Sequence, residues 1–248
     1  MPLDTPIAEL VRQLSRVGLR PSERLVQQIL AHGPAARAAL LDLATNNAAL
    51  HEELPAALGP LHALRLLGEL PDVAIIAPLI EQLPILINGD EDVPARLYAG
   101  EVIQIIGRIG APAVPVLWAY ADDERNPSMA RSAAVSALSW VATAAPEVRD
   151  AVIAEARRRL PTEMDKPVTT GLVTVLAELG DQESYKPIMD AYRAGRVDQS
   201  QAPAATARQF LLGGGRGDLS CVNHPLFERY DLHGPRLRED VDDDEDFE

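Results

Sequence analysis

The sequence predicts an all-α protein: a right-handed α-solenoid of about five helix pairs between capping helices, followed by an irregular C-terminal arm and a disordered acidic tail. Three observations lead there. Hydrophobic residues make up 47% of the 248 positions but aromatics only 4%, so the apolar surface is mostly Leu and Ala, which suits helix ridges better than strands. The phrase GELPDVAIIAPLIEQL, from Gly68, also lies without a gap on AELGDQESYKPIMDAY, from Ala177, placing Asp72 on Asp181 and Pro78 on Pro187. Finally, Gly68 to Gly107 is 39 residues and Gly107 to Ala177 is 70, or two units of about 35. Periods of that size, each made of two helices, mark an α-solenoid.

Taken in order, residues 1–20 hold DTPIAELVRQLSRVG, an amphipathic capping helix with Asp4 or Thr5 at its start and Pro6 just inside. Residues 21–200 carry the repeats. QQILAHGPAARAALLDLA (27–44), LHALRLLGELPDVAIIAPLIEQL (61–83) and IIGRIGAPAVPVLWAYADD (105–123) share one shape: an apolar helix end, a break with Gly or Pro, and a second apolar helix. Residues 129–160 form a looser copy with Pro146 at the break, and the copy from Ala177 is the last. At the breaks, Gly33, Gly110 and Gly180 supply the positive φ that ends a helix. Asp72 and Asp181 are placed to cap the next one. Pro78, Pro115 and Pro187 sit early in the second helices, where few backbone N–H groups are committed. Ile76, Leu79, Ile80 and Leu83 then recur as one buried stripe, which a lone helix pair cannot cover. ILINGDEDVPARLYAG (85–100) is longer than the other joints and reads as an insertion. Residues 201–218 read as a last helix stopped by Gly213-Gly214-Gly215, and 219–238 as an extended arm without period.

The unit LHALRLLGELPDVAIIAPLIEQL, with IGAPAVPVL (109–117) and MDAYRAGRVD (189–198), resembles HEAT-like repeats of the phycobilisome-lyase type and is similar to uncharacterised bacterial HEAT-like proteins. The likeness covers roughly residues 20–200. It implies an armadillo-like interaction scaffold whose curved surface is lined by the second helices. It also brings two alternatives, a phycobilisome-lyase-like or other ligand-handling protein and a nucleic-acid-binding one.

Charge narrows these. The chain carries −14, and EDVDDDEDFE (239–248) holds eight acids and no base, leaving 29 acids against 23 bases in residues 1–238. A run of like charge cannot bury apolar surface, so disorder is expected there. The acidic body argues against a phosphate-backbone grip. The single cysteine, Cys221, excludes an internal disulfide and fits a reducing, cytoplasmic setting, and no secretory signal or membrane span is expected.

No nucleotide, zinc-protease or hydrolase motif is present, so neither an enzyme nor a cofactor is expected. Cys221, His224, Asp231 and His233 have metal-like spacing but offer one thiol, too few strong ligands for a structural zinc site. Trp118 aligns with Ile80 and Met189 on the buried stripe and reads as core. Arg216-Gly217-Asp218 reads as a chance tripeptide. What remains is a protein-binding scaffold, and its charge points to a basic protein partner. Glu81, Asp122, Asp123 and Asp190 are the steering acids. Tyr120 is an exposed anchor, Arg158 a contact from the basic cluster 157–159, and Phe227 and Tyr230 are contacts on the C-terminal arm.

Overall fold

The computed structural model describes residues 6–89 and 92–236. Among these every regular element is helical. Helices occur at each stretch read as one: α2 (Glu23–Leu30), α3 (Pro34–Ala44), α4 (Gly59–Leu67), α5 (Ile76–Ile80), α6 (Val93–Gly107), α7 (Ala113–Asp122), α8 (Ser128–Ala144), α9 (Arg149–Arg159), α10 (Lys166–Glu178) and α11 (Tyr185–Arg193). They are preceded by α1 (Ile7–Gln13) and followed by α12 (Ala204–Gly213) and α13 (Leu226–His233). No helix among the described residues is long and apolar enough to cross a membrane.

The break chemistry follows the local sequence. Gly33, Gly110 and Gly180 take positive φ, and Asp72 caps its turn by accepting from the Ala74 N–H at 2.9 Å. Pro78, Pro115 and Pro187 each stand third in their helix, before intrahelical N–H bonds are required. Asp181 does not cap. Its carboxylate accepts from the Arg157 guanidinium and the Ser184 hydroxyl instead. A guanidinium offers a stronger partner than a turn amide. Pro6 is itself the N-cap of α1, and Asp4 and Thr5 lie outside the described residues, as does the acidic tail. Residues 217–223 form 3-10 turns and 226–233 the helix α13, where the sequence suggested an extended arm. Within the 85–100 insertion, residues 85–89 are irregular and α6 begins at Val93.

The chain divides into two compact units. Among the described residues, the first comprises 6–70, 85–89, 92–100 and 224–236. Its centre is α4, every residue of which is buried. It packs on α3 and on the 3-10 turns at 14–16, 47–51 and 56–58. Each of Leu61, Leu64, Leu66 and Leu67 is fully buried and contributes about 2 kcal/mol of transfer free energy. The same helix buries His62 and Arg65. The His62 Nε2 lies 3.0 Å from the Gly18 carbonyl, which can only accept, so Nε2 carries the proton and Nδ1 accepts from the Tyr230 hydroxyl at 2.8 Å. Arg65 donates to the Gly234 carbonyl at 2.7 Å and lies 4.3 Å over the Tyr230 ring. These bonds tie α13 into the unit.

The second unit comprises residues 71–84 and 101–223. Its core is α8 packed on α7 and α10, with α12 and α9 against α10. Gly171 permits a close crossing of α10 and α8: a Cβ there would meet the Ser132 carbonyl oxygen at 2.8 Å. Gly180, at φ +67°, permits a second, since its Cβ would fall 2.5 Å from the Gly214 carbonyl carbon.

Candidate functional site

On the second unit, the sequence-selected residues line the second helices and their C-terminal ends. Glu81 is exposed just after α5, and Tyr120 is half-buried on α7. Burial, and then the negative charges of Glu81 and Asp123, push the Tyr120 phenol up, so these three groups do come together. The Tyr120 hydroxyl is buried and has no hydrogen-bond partner among the described residues.

The other acids are engaged internally. Asp123 takes both arms of Arg125, at 2.8 and 2.6 Å, and that pairing holds its carboxyl at about 2. Asp122 pairs with Arg159, which also binds Glu155 at 2.7 Å and lies 4.2 Å over Trp118. Arg158 is exposed but grips Glu155 through two bonds of 2.7 and 2.8 Å. Asp190 pairs with Lys186 and Arg193 on its own helix. Of the four acids, Glu81 alone has no ion-pair partner among the described residues. Trp118 is 9% exposed, in keeping with a core position.

In the first unit, Phe227 is half-buried under the Arg20 guanidinium, 4.7 Å from the ring centroid. Tyr230 is only 6% exposed and its hydroxyl is bonded to His62. It is a core residue of this unit and presents no free aromatic surface.

The structure adds a site that the sequence did not single out. In the second unit a cleft of about 500 Å³ opens along α10 and α12, walled by Val173, Ala177, Pro203 and Phe210, with Glu178 and Arg216 at its polar end. Glu178, 7% exposed, accepts from the Ser139 hydroxyl at 2.6 Å and from Arg216 Nη1 at 2.7 Å. Arg216 Nε and Nη2 bind Asp218 side-on at 2.5 and 2.9 Å. Its guanidinium lies over Trp140, 5.3 Å from the ring centroid. The hydrogen bonds to Asp218 and Glu178 raise its affinity for its proton, so it stays cationic. With its edges on two carboxylates and one face on an indole, its 31% exposure leaves chiefly the other face toward the cleft.

The local backbone fixes this arrangement. Gly214 ends α12 in the left-handed conformation, and the Arg216 N–H then donates to the Glu178 carbonyl at 2.8 Å. The tripeptide 216–218 is thus an ion pair closed over two residues. Its Arg-x-Asp spacing after a glycine stop was the one signal available in the sequence.

Ser139 is fully buried, which keeps its hydroxyl from acting on any substrate. Among the described residues no group of three or more His, Cys, Asp or Glu side chains is placed to hold a metal ion. Cys221 is buried in the second unit beside Gln104, and His224 and His233 stack in the first. No family model matches the chain, and no curated protein or solved structure matches it either.

Proposed function

We propose that this protein is a non-catalytic, HEAT-like α-solenoid scaffold that binds a protein partner, and that the cleft along α10 and α12 is its main recognition point. The observation that carries this is the Arg216 guanidinium, held by Glu178, Asp218 and Trp140 at the end of an apolar cleft of about 500 Å³. A pre-ordered guanidinium face attracts the π-face of an aromatic ring, and the apolar walls bury its remainder. The fitting ligand is an aromatic side chain of a partner segment. The exposed Asp218 carboxylate favours a basic neighbour beside that ring. Internal pairing of Asp122, Asp123 and Asp190 supports recognition by shape more than by long-range charge, so binding should depend only weakly on salt.

Selection of displayed peptides on the full chain tests this. Enriched peptides should share an aromatic residue. Thr206→Trp, an exposed position on the cleft wall, should weaken them more than about tenfold without changing the fold. Peptides with no shared aromatic, or affinity untouched by Thr206→Trp, would sink the reading.

A further inference from the structure

The first unit leaves bulky apolar side chains in water around one opening. Leu54 is 54% exposed and Leu86 69%, and Ile87 and Val93 are exposed as well. Leu54 and Val93 line a cavity of about 460 Å³, whose floor is the buried Leu50, Ala57 and Leu58. Leu86 and Ile87 immediately precede Asn88, which lines the same cavity. Apolar surface that a chain keeps exposed beside a hollow with an apolar floor is the mark of an interaction site.

Charge at the rim selects what covers it. Asp92 is engaged within the protein, where it accepts from the backbone N–H groups of Asn88 at 2.9 Å and Ala95 at 3.4 Å and so caps α6. Arg236, the one arginine or lysine at the wall, donates to the Asp231 carbonyl at 3.3 Å. Glu52 lines the cavity and Glu53 follows it. Both are exposed, and neither carboxylate has a partner among the described residues. Two unengaged carboxylates next to Leu54 make the rim electronegative where the apolar surface begins. An acidic or lipid-carboxylate occupant would meet like charge there, whereas a basic side chain beside an apolar one matches both features.

We propose that this face of the first unit docks a partner segment that seats a bulky aliphatic side chain in the cavity and sets a lysine or arginine against Glu52 and Glu53. Leu54, Leu86, Ile87 and Val93 form the apolar shoulder on which the rest of the segment lies. The proposal shares the protein-binding class with the reading of the cleft, but it stands on other residues in the other unit, so the two fail separately.

Fluorescence polarisation of short labelled peptides against the full chain tests it. The probes are a leucine–lysine peptide and its leucine–glutamine and leucine–glutamate counterparts. The lysine form should bind most tightly and the glutamate form about tenfold more weakly. Glu52→Gln with Glu53→Gln should remove that preference and leave the glutamine form unchanged. Leu54→Ser with Leu86→Ser, at two exposed positions that tolerate a polar side chain, should weaken all three, and Thr206→Trp should weaken none. The proposal is overturned if the lysine peptide does not bind, if the order of affinities survives the loss of both carboxylates, or if the serine variant binds unchanged. Loss of binding in Thr206→Trp would place the peptide in the cleft instead. Sedimentation showing self-association that the serine variant abolishes would assign the face to a second copy of the chain, which also overturns it.

Discussion

His62 shows how one residue couples this fold to acidity. Burial, the largest effect, lowers its pKa from 6.5 to about 4 even though the Gly18 carbonyl favours the proton. The unfolded chain takes up a proton below about 6.5 while the folded one resists until about 4. The stability conferred by the neutral ring is therefore complete above 6.5 and is lost as the pH falls between the two values. The loss approaches about 3 kcal/mol. Urea unfolding at pH 7.5 and at pH 4.5 should show it, and His62→Gln should flatten that part of the profile. Arg216 carries a second prediction. Arg216→Ala leaves Glu178 buried with only Ser139, so the second unit should lose about 2 to 3 kcal/mol, the upper end being tempered by the partial exposure of Arg216. Arg216→Ala with Glu178→Gln should recover part of that loss, as read in chemical denaturation. Neither pair was legible beforehand. His62 and Tyr230 are 168 positions apart and Glu178 and Arg216 are 38 apart, and nothing in the local pattern of either member names the other.

The elements were far more legible, because what begins and ends a helix is local. Gly33, Gly110 and Gly180 stop helices through a backbone conformation that depends on the residue itself, and the three prolines fall where a first turn tolerates them. The two glycine stops at 110 and 180 should nevertheless respond differently. Gly110→Ala meets only ordinary contact, the Ala145 Cβ at 3.7 Å, and should cost about 1 to 2 kcal/mol for its positive φ alone. Gly180→Ala adds a collision with the Gly214 backbone and should cost clearly more, or displace the turn that delivers Arg216. A comparison of their denaturation midpoints checks this. The reading failed where an element lacks a period or where another residue competes. Helix α13 spans eight residues, too short for a repeat to declare itself, and its burial comes from partners far along the chain. Asp181 sits at a capping position, but Arg157 on α9 takes its carboxylate instead.

At the scale of the whole molecule, the chain passes between its two units at 70/71, 84/85, 100/101 and 223/224. Neither unit is therefore a continuous fragment. A chain ending at Asn223 lacks Tyr230 and Gly234, the acceptor and ring that Arg65 uses and the hydroxyl that His62 accepts. Its first unit should lose cooperative unfolding, whereas a chain ending at Arg236 should melt within about 2 °C of the full protein, the shift expected from under 1 kcal/mol. Calorimetry of the two truncations separates these outcomes. The same threading has a consequence during synthesis. Helix α4 leaves the ribosome with an imidazole and a guanidinium on its inward side, and Tyr230 is made 168 residues after His62. At bacterial and eukaryotic elongation speeds that interval is roughly ten to thirty seconds. Until α13 is made, His62 and Arg65 lack these partners, so the second unit is expected to fold first and the N-terminal helices to wait for residues 226–234.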